Sequence, residues 1–147
     1  MKIIKNLFYL FLPILSGTII GLITSNFMDY TSLIKPPLAP PNILFPIIWS
    51  IIYLLMGIAY YFYKNNNNDT NYIYYIQLIV NLLWSIIFFI LKWRFISILW
   101  IILLDILIIL TMKIFKNNSK ISFYLFIPYI LWCLFATYLT IGIYILN

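Results

Sequence analysis

Lys35-Pro36-Pro37-Leu38-Ala39-Pro40-Pro41 stands just ahead of an uncharged run from Leu44 to Tyr63. The run is long enough for a membrane helix. The prolines cannot belong to a lipid-exposed one, because proline lacks an N–H and leaves carbonyls that hydrocarbon cannot satisfy. This boundary sets the reading of the rest. A span takes roughly 20 residues to cross about 30 Å of hydrocarbon, and five windows meet that need: Leu7 to Ile23, Leu44 to Tyr63, Tyr72 to Leu91, Phe95 to Met112 and Ile121 to Leu146. The last is long enough to tilt or to leave a turn in the interface. The runs are continuous and do not alternate with a period of two, so they predict an all-α bundle of five transmembrane helices, not a β-barrel.

Composition agrees with this class: 65% of the 147 residues are hydrophobic and 8% charged, against about a quarter charged in soluble domains. The whole chain, 1–147, reads as one transmembrane domain of a multi-pass integral membrane protein. Lys2 and Lys5 ahead of an apolar run resemble the start of a secretory signal peptide, but no small-x-small cleavage pattern closes it, and the segment is read as a retained helix. Its Ser16-Gly17 and Gly21 would let a neighbouring helix approach closely. Charges fall between the spans. Lys2, Lys5, Lys64, Lys113, Lys116 and Lys120 face Lys35, Lys92 and Arg94 across a five-span bundle, which places the N-terminus in the cytoplasm by the positive-inside rule. The net charge of +6 is scattered over loop ends and predicts anchoring at anionic headgroups, not nucleic-acid binding. The Asn65 to Asn68 run is a polar connector.

The chain has no histidine, one cysteine (Cys133) and three acids, Asp29, Asp69 and Asp105, far apart in sequence. That excludes the Ser/His/Asp and Cys/His arrangements, a histidine or cysteine metal cluster and a glycine-rich phosphate loop. No metal, no required cofactor and no conventional catalytic set is expected. Asp105 is the one charged residue inside a span; it should face the bundle and hydrogen-bond a polar group there, or remain protonated.

Aromatic residues are abundant: 5 Trp, 13 Tyr and 12 Phe. Trp93, between Lys92 and Arg94, fits an interfacial anchor. Trp49, Trp84 and Trp132 lie within spans. Helical spacing puts Trp49 on a face with Tyr53, Asn81 with Trp84, Ser85 and Phe88, and Trp132 with Ala136 and Thr140. An indole-lined pocket with a few polar atoms suits a large, flat, apolar ligand, although packing aromatics would produce the same pattern.

Taken together, the proline run, then Phe45, Trp49, Tyr53, Met56, Gly57 and Ala59, resemble the signature of the TspO/translocator proteins, also called tryptophan-rich sensory proteins or peripheral benzodiazepine receptors. Gln77-Leu78, Asn81, Trp84 and Phe88-Phe89 resemble the family's third helix, Leu103-Leu104-Asp105 its fourth, and Pro128 to Leu139 its fifth. The resemblance is colinear over about the whole chain. It implies a homodimer-forming five-helix bundle whose cavity is covered by the first loop, and a binding protein (sensor, scavenger or carrier) for porphyrins and other flat amphipathic molecules. The implied ligand-binding residues are Tyr30, Trp49, Asn81, Trp132 and Ala136, with Tyr53 and Trp84 next, and the implied lid carries Lys35, Pro36, Pro40 and Pro41. In such a site a macrocycle would stack between Trp49 and Trp132, Asn81 would offer a hydrogen bond, and propionates would rest near Lys35. Some bacterial relatives are reported to degrade protoporphyrin in light; for that alternative Trp49 and Trp132 would be redox participants. A transporter or structural subunit is the remaining alternative.

Two departures stand out. The family's tryptophan between its proline pairs is Leu38 here, and the one before the loop tyrosine is Asp29, so the lid is expected to have lost aromatic surface. The sterol-recognition pattern is incomplete, since Leu139 and Tyr144 are followed by no base, and Leu55, Tyr60 and Lys64 meet the same loose pattern.

Overall fold

The computed structural model describes residues 2–67 and 69–147, with side chains from residue 4 onward. It is helical, without strands among the described residues. Five segments are long and apolar enough to cross a membrane: Ile4–Ser25, Leu44–Asn66, Tyr72–Ile90, Arg94–Asn118 and Lys120–Leu146. The five expected spans are therefore present, mostly extended by polar end residues that hydropathy alone does not count. We name the helices α1 (Lys2–Ser25), α2 (Leu44–Asn66), α3 (Tyr72–Ser85), α4 (Arg94–Asn118), α5 (Lys120–Leu125) and α6 (Ile127–Leu146). They close a ring in which α1 lies between α2 and α3, α4 packs on α3 and α6, and α5 with α6 returns to α2.

Two spans are not continuous α-helices, and for the fifth the sequence already allows a turn. The fifth breaks at Phe126, whose backbone still lies in the helical region but whose carbonyl serves Ile130 across the junction. The cause is Pro128: it brings no N–H, and its ring would meet the carbonyl of residue 124 in an unbroken helix. The third ends in a widened turn, Ile86–Ile90, where the Leu91 N–H donates to the Ile86 carbonyl five residues back at 3.0 Å. Lys92 follows with φ 55°, a left-handed conformation unusual for a side-chain-bearing residue, and α4 begins two residues later.

Between apolar helices in lipid, association rests on close packing and on hydrogen bonds across helices. The tightest approach is at Gly57 of α2, where any Cβ would collide with the Leu10 carbonyl of α1. Of the small residues singled out on α1, one admits the neighbouring α2 in the same way. Gly17 faces the Tyr53 ring, with a hypothetical Cβ 2.5 Å from it, and Gly21 faces open space. Polar ties are few and specific. Trp100 Nε1 donates to the Val80 carbonyl at 2.8 Å, joining α4 to α3. Ser122 Oγ donates to the Ala59 carbonyl at 2.5 Å, joining α5 to α2. Thr137 Oγ1 of α6 lies 2.6 Å from Asp105 Oδ2 of α4, giving the intramembrane acid the polar partner it requires. The outer faces carry Leu15, Ile19, Leu22, Leu99, Ile102 and Ile106, all exposed, which is where lipid tails lie.

Candidate functional site

The first loop, residues 26–43, is fixed at several points. Leu38 takes φ 70° in a turn closed by the Ala39 N–H donating to the Pro36 carbonyl, with Pro37 at the position where its fixed φ suits such a turn. Pro36 is buried against Gly142 of α6, where a Cβ would lie 2.6 Å from its ring. Tyr138 of α6 donates to the Pro37 carbonyl at 2.6 Å. Asn147 pairs with the Ile34 backbone in both directions. The Tyr30 hydroxyl, whose pKa burial raises above the ordinary tyrosine value, donates to the Pro40 carbonyl at 2.7 Å. Lys35 Nζ donates to the carbonyls of Tyr30 and Leu33.

Below this loop lies a cavity of about 410 Å³. Of the residues expected in a site, Tyr30, Trp49, Tyr53, Trp84, Trp132 and Ala136 line it together. Asn81 does not. It is buried one layer behind, where Tyr53 OH donates to its Oδ1 at 2.5 Å and its Nδ2 donates to Tyr129 OH at 2.7 Å. Tyr129 OH in turn donates to Gln77 Oε1 at 2.7 Å. With its oxygen and nitrogen both engaged, Asn81 holds the cavity floor across α2, α3 and α6 and offers the cavity no hydrogen bond directly. Lys35, Pro36, Pro40 and Pro41 do not line the cavity either. The proline segment is fastened over the end of α6, and the parts of the loop that reach the cavity are Met28 and Tyr30. Leu38 is 85% exposed, so its side chain lies away from the wall.

The aromatic side chains form two walls. One runs through Tyr30, Phe45, Trp132, Trp49 and Tyr53, each touching the next: Tyr30 and Phe45 edge to face at 4.8 Å, Trp49 and Trp132 at 6.3 Å and 83°, Trp49 and Tyr53 stacked at 5.7 Å. The other is on α3, where Trp84 stacks on Phe88 at 5.0 Å and meets Phe89 edge on. A flat ring cannot stack between Trp49 and Trp132, as the sequence reading supposed. Sandwiching needs near-parallel planes about 7 Å apart, and these two indoles are nearly perpendicular and in mutual contact. Both aromatic groups line the one cavity.

Sequence reasoning missed the contribution of α1. Gly17, Thr18, Gly21 and Thr24 line the cavity, and the spacing of Gly17 and Gly21 was a signal that could equally have marked open space. Thr18, Gly21, Pro46 and Ser50 are both cavity-lining and exposed, so the cavity opens outward between α1 and α2. Its lining is mainly apolar and aromatic, with hydroxyls from Thr18, Thr24, Ser50, Ser85 and Thr140. Trp84 Nε1 and Trp132 Nε1 are buried donors without a hydrogen-bond partner among the described residues. Among those residues no group of histidine, cysteine and acidic side chains could hold a metal ion. The chemistry on offer is therefore apolar burial, ring stacking and a few hydroxyl contacts.

A ring of five helices long and apolar enough to span a membrane, around an outward-opening aromatic cavity, defines a multi-pass integral membrane protein. The TspO/MBR family model matches residues 9–146, and the chain belongs to that family. Among its relatives, the tryptophan-rich protein TspO of Chlorobaculum tepidum is 40% identical over 124 residues, covering 80% of this chain and 78% of the relative. The tryptophan-rich protein TspO of Archaeoglobus fulgidus is 40% identical over 80% of this chain and 79% of its own. Protein CrtK of Rhodobacter capsulatus is 32% identical over 86% and 83%.

Proposed function

We propose that the chain binds a flat, largely apolar, amphipathic ligand of the porphyrin class inside the helical bundle, as a sensor, scavenger or carrier. The supporting observation is one cavity lined by both aromatic groups with few polar atoms. A macrocycle laid on the Trp49–Trp132 wall gains apolar burial and edge or face contacts from five aromatic side chains, and Trp84 and Phe88 close the other side. The opening between α1 and α2 gives a lipid-dissolved ligand a way in that crosses no polar barrier. The resemblance to the family's ligand-binding positions supports the same assignment for Tyr30, Trp49, Tyr53, Trp84, Trp132 and Ala136, while Asn81 acts by fixing Tyr53.

The test is protoporphyrin IX added to detergent-purified protein with tryptophan fluorescence as the readout. Saturable quenching is expected. A Trp49→Phe, Trp132→Phe double variant should lose most of it, and equal quenching in that variant would place the ligand elsewhere.

A further inference from the structure

The rim of the cavity carries an ionic cluster that neither the aromatic walls nor the prolines explain. Asp29 accepts both Nη2 contacts of Arg94, at 2.9 and 3.1 Å, across 65 residues of sequence. Lys92 Nζ lies 3.6 Å from the same carboxylate. Arg94 also donates through Nη1 to the Phe88 carbonyl at 3.0 Å and sits 4.2 Å above the Phe88 ring. Asp29, Lys92 and Arg94 do not themselves line the cavity, but they border residues that do: Met28 and Tyr30 flank Asp29 in the chain, and Phe88 lies beneath Arg94.

Two cations share one carboxylate. The side chains at this end of the bundle include three bases, Lys35, Lys92 and Arg94, against one acid, Asp29, and Lys35 is turned to loop carbonyls instead. The Arg94 and Asp29 side chains are only 16% and 24% exposed, so the exchange of one carboxylate for another would occur where charge-assisted hydrogen bonds hold their strength. Lys92 lies two residues before Arg94 and has left-handed backbone, and both side chains meet the same carboxylate.

We propose that Arg94 and Lys92 form an anion-binding subsite at the cavity rim for a carboxylate borne by the cavity ligand, with Asp29 occupying it while the cavity is empty. This rests on the porphyrin-class reading above and names the feature that the ligand must carry: an acidic arm on a flat apolar body. Ligand binding then releases Asp29 and with it the Tyr30 turn, so an acidic ligand loosens the first loop and a neutral one of the same shape does not.

The experiment compares protoporphyrin IX, which has two propionates, with its dimethyl ester, each titrated by tryptophan quenching in nonionic detergent. Asp29→Asn removes the internal competitor and should tighten the diacid about fivefold while leaving the ester within about twofold, in line with hydrogen bonds to charged groups. Arg94→Gln should weaken the diacid about tenfold and spare the ester, and Arg94→Lys should restore part of the loss. Variants that shift acid and ester alike, or neither, would overturn the subsite while leaving the porphyrin reading intact. Failure of both compounds to quench the parent protein would remove that reading, and the subsite with it. Phosphatidylglycerol that blocks the diacid in the parent but not in Arg94→Gln would assign these cations to lipid headgroups and also overturn the proposal.

Discussion

The two ends of the bundle are built from similar aromatic material and reach opposite results. At the end away from the first loop, Tyr60 and Tyr74 stack at 4.0 Å and 11°, and Tyr63, Phe115 and Phe126 close around them, with Phe115 and Phe126 fully buried. At the other end, tryptophans and phenylalanines stand around a space of about 410 Å³. At the filled end, α5 runs alongside α2 before the break at Phe126, and at the hollow end α1 presents glycines in place of bulk. Aromatic content does not decide whether a bundle is solid or hollow; what stands opposite the rings does.

Substitutions at the two ends should therefore diverge. Tyr60→Ala empties a packed site and is expected to cost about 3 to 5 kcal/mol, read as a large fall in thermal unfolding midpoint in detergent. A small shift would mean that the filled end is looser than its stacking indicates. Gly57→Ala pushes a methyl group into the Leu10 carbonyl, and the forced separation of α1 and α2 should cost about 2 to 3 kcal/mol in the same assay. Asn81→Leu leaves the Tyr53 hydroxyl without its acceptor and removes one of the two hydrogen bonds of Tyr129, which keeps Gln77, and a loss of about 1 to 3 kcal/mol follows from the buried hydroxyl left unpaired. It should also weaken ligand binding, because Tyr53 is then free to turn. Ala136→Leu adds bulk to the hollow end, where there is room. Its stability should stay within about 1 kcal/mol of the parent, while affinity for a bulky ligand falls about fivefold to tenfold, about 1 to 1.4 kcal/mol. Titration beside a melting curve separates the two effects, and an unchanged affinity would put Ala136 outside the occupied volume.

Much of this contrast could be read from local spacing. Hydropathy found all five spans, and the 3.6-residue period correctly grouped Trp49 with Tyr53 and Trp132 with Ala136 and Thr140, because those relations lie within single helices. Asn81 was grouped with Trp84 on the same basis, yet it lies one turn deeper, where α3 is covered by Tyr53 and Tyr129. Which turn of a helix meets a cavity depends on its neighbours, and one helix's period does not contain that. The pairing of Asp29 with Arg94 was out of reach for the same reason, since it joins the first loop to the start of α4, far apart in sequence, and the two meet only once the ring closes. Asp29 could be seen as lost aromatic surface, but not as a gained ionic contact. The break at Phe126 is an intermediate case: the length of the last span leaves room for a turn, and the structure places it two residues ahead of Pro128.

The widened turn at Ile86–Ile90 works as a phase shifter. An ordinary helix advances about 100° per residue, and a turn closed five residues back absorbs one residue more than usual without breaking the helix. Whatever follows is rotated relative to what precedes it. Trp84 and Phe88 can thus face inward while Lys92 and Arg94 still arrive beside Asp29. A single deletion within this turn would restore a regular helix and leave the direction of its end nearly unchanged, whereas closing the turn four residues back with every residue kept would turn that end about 100° away from the loop that the cations hold. In this segment, the length of the helix and the direction in which its end points are set separately.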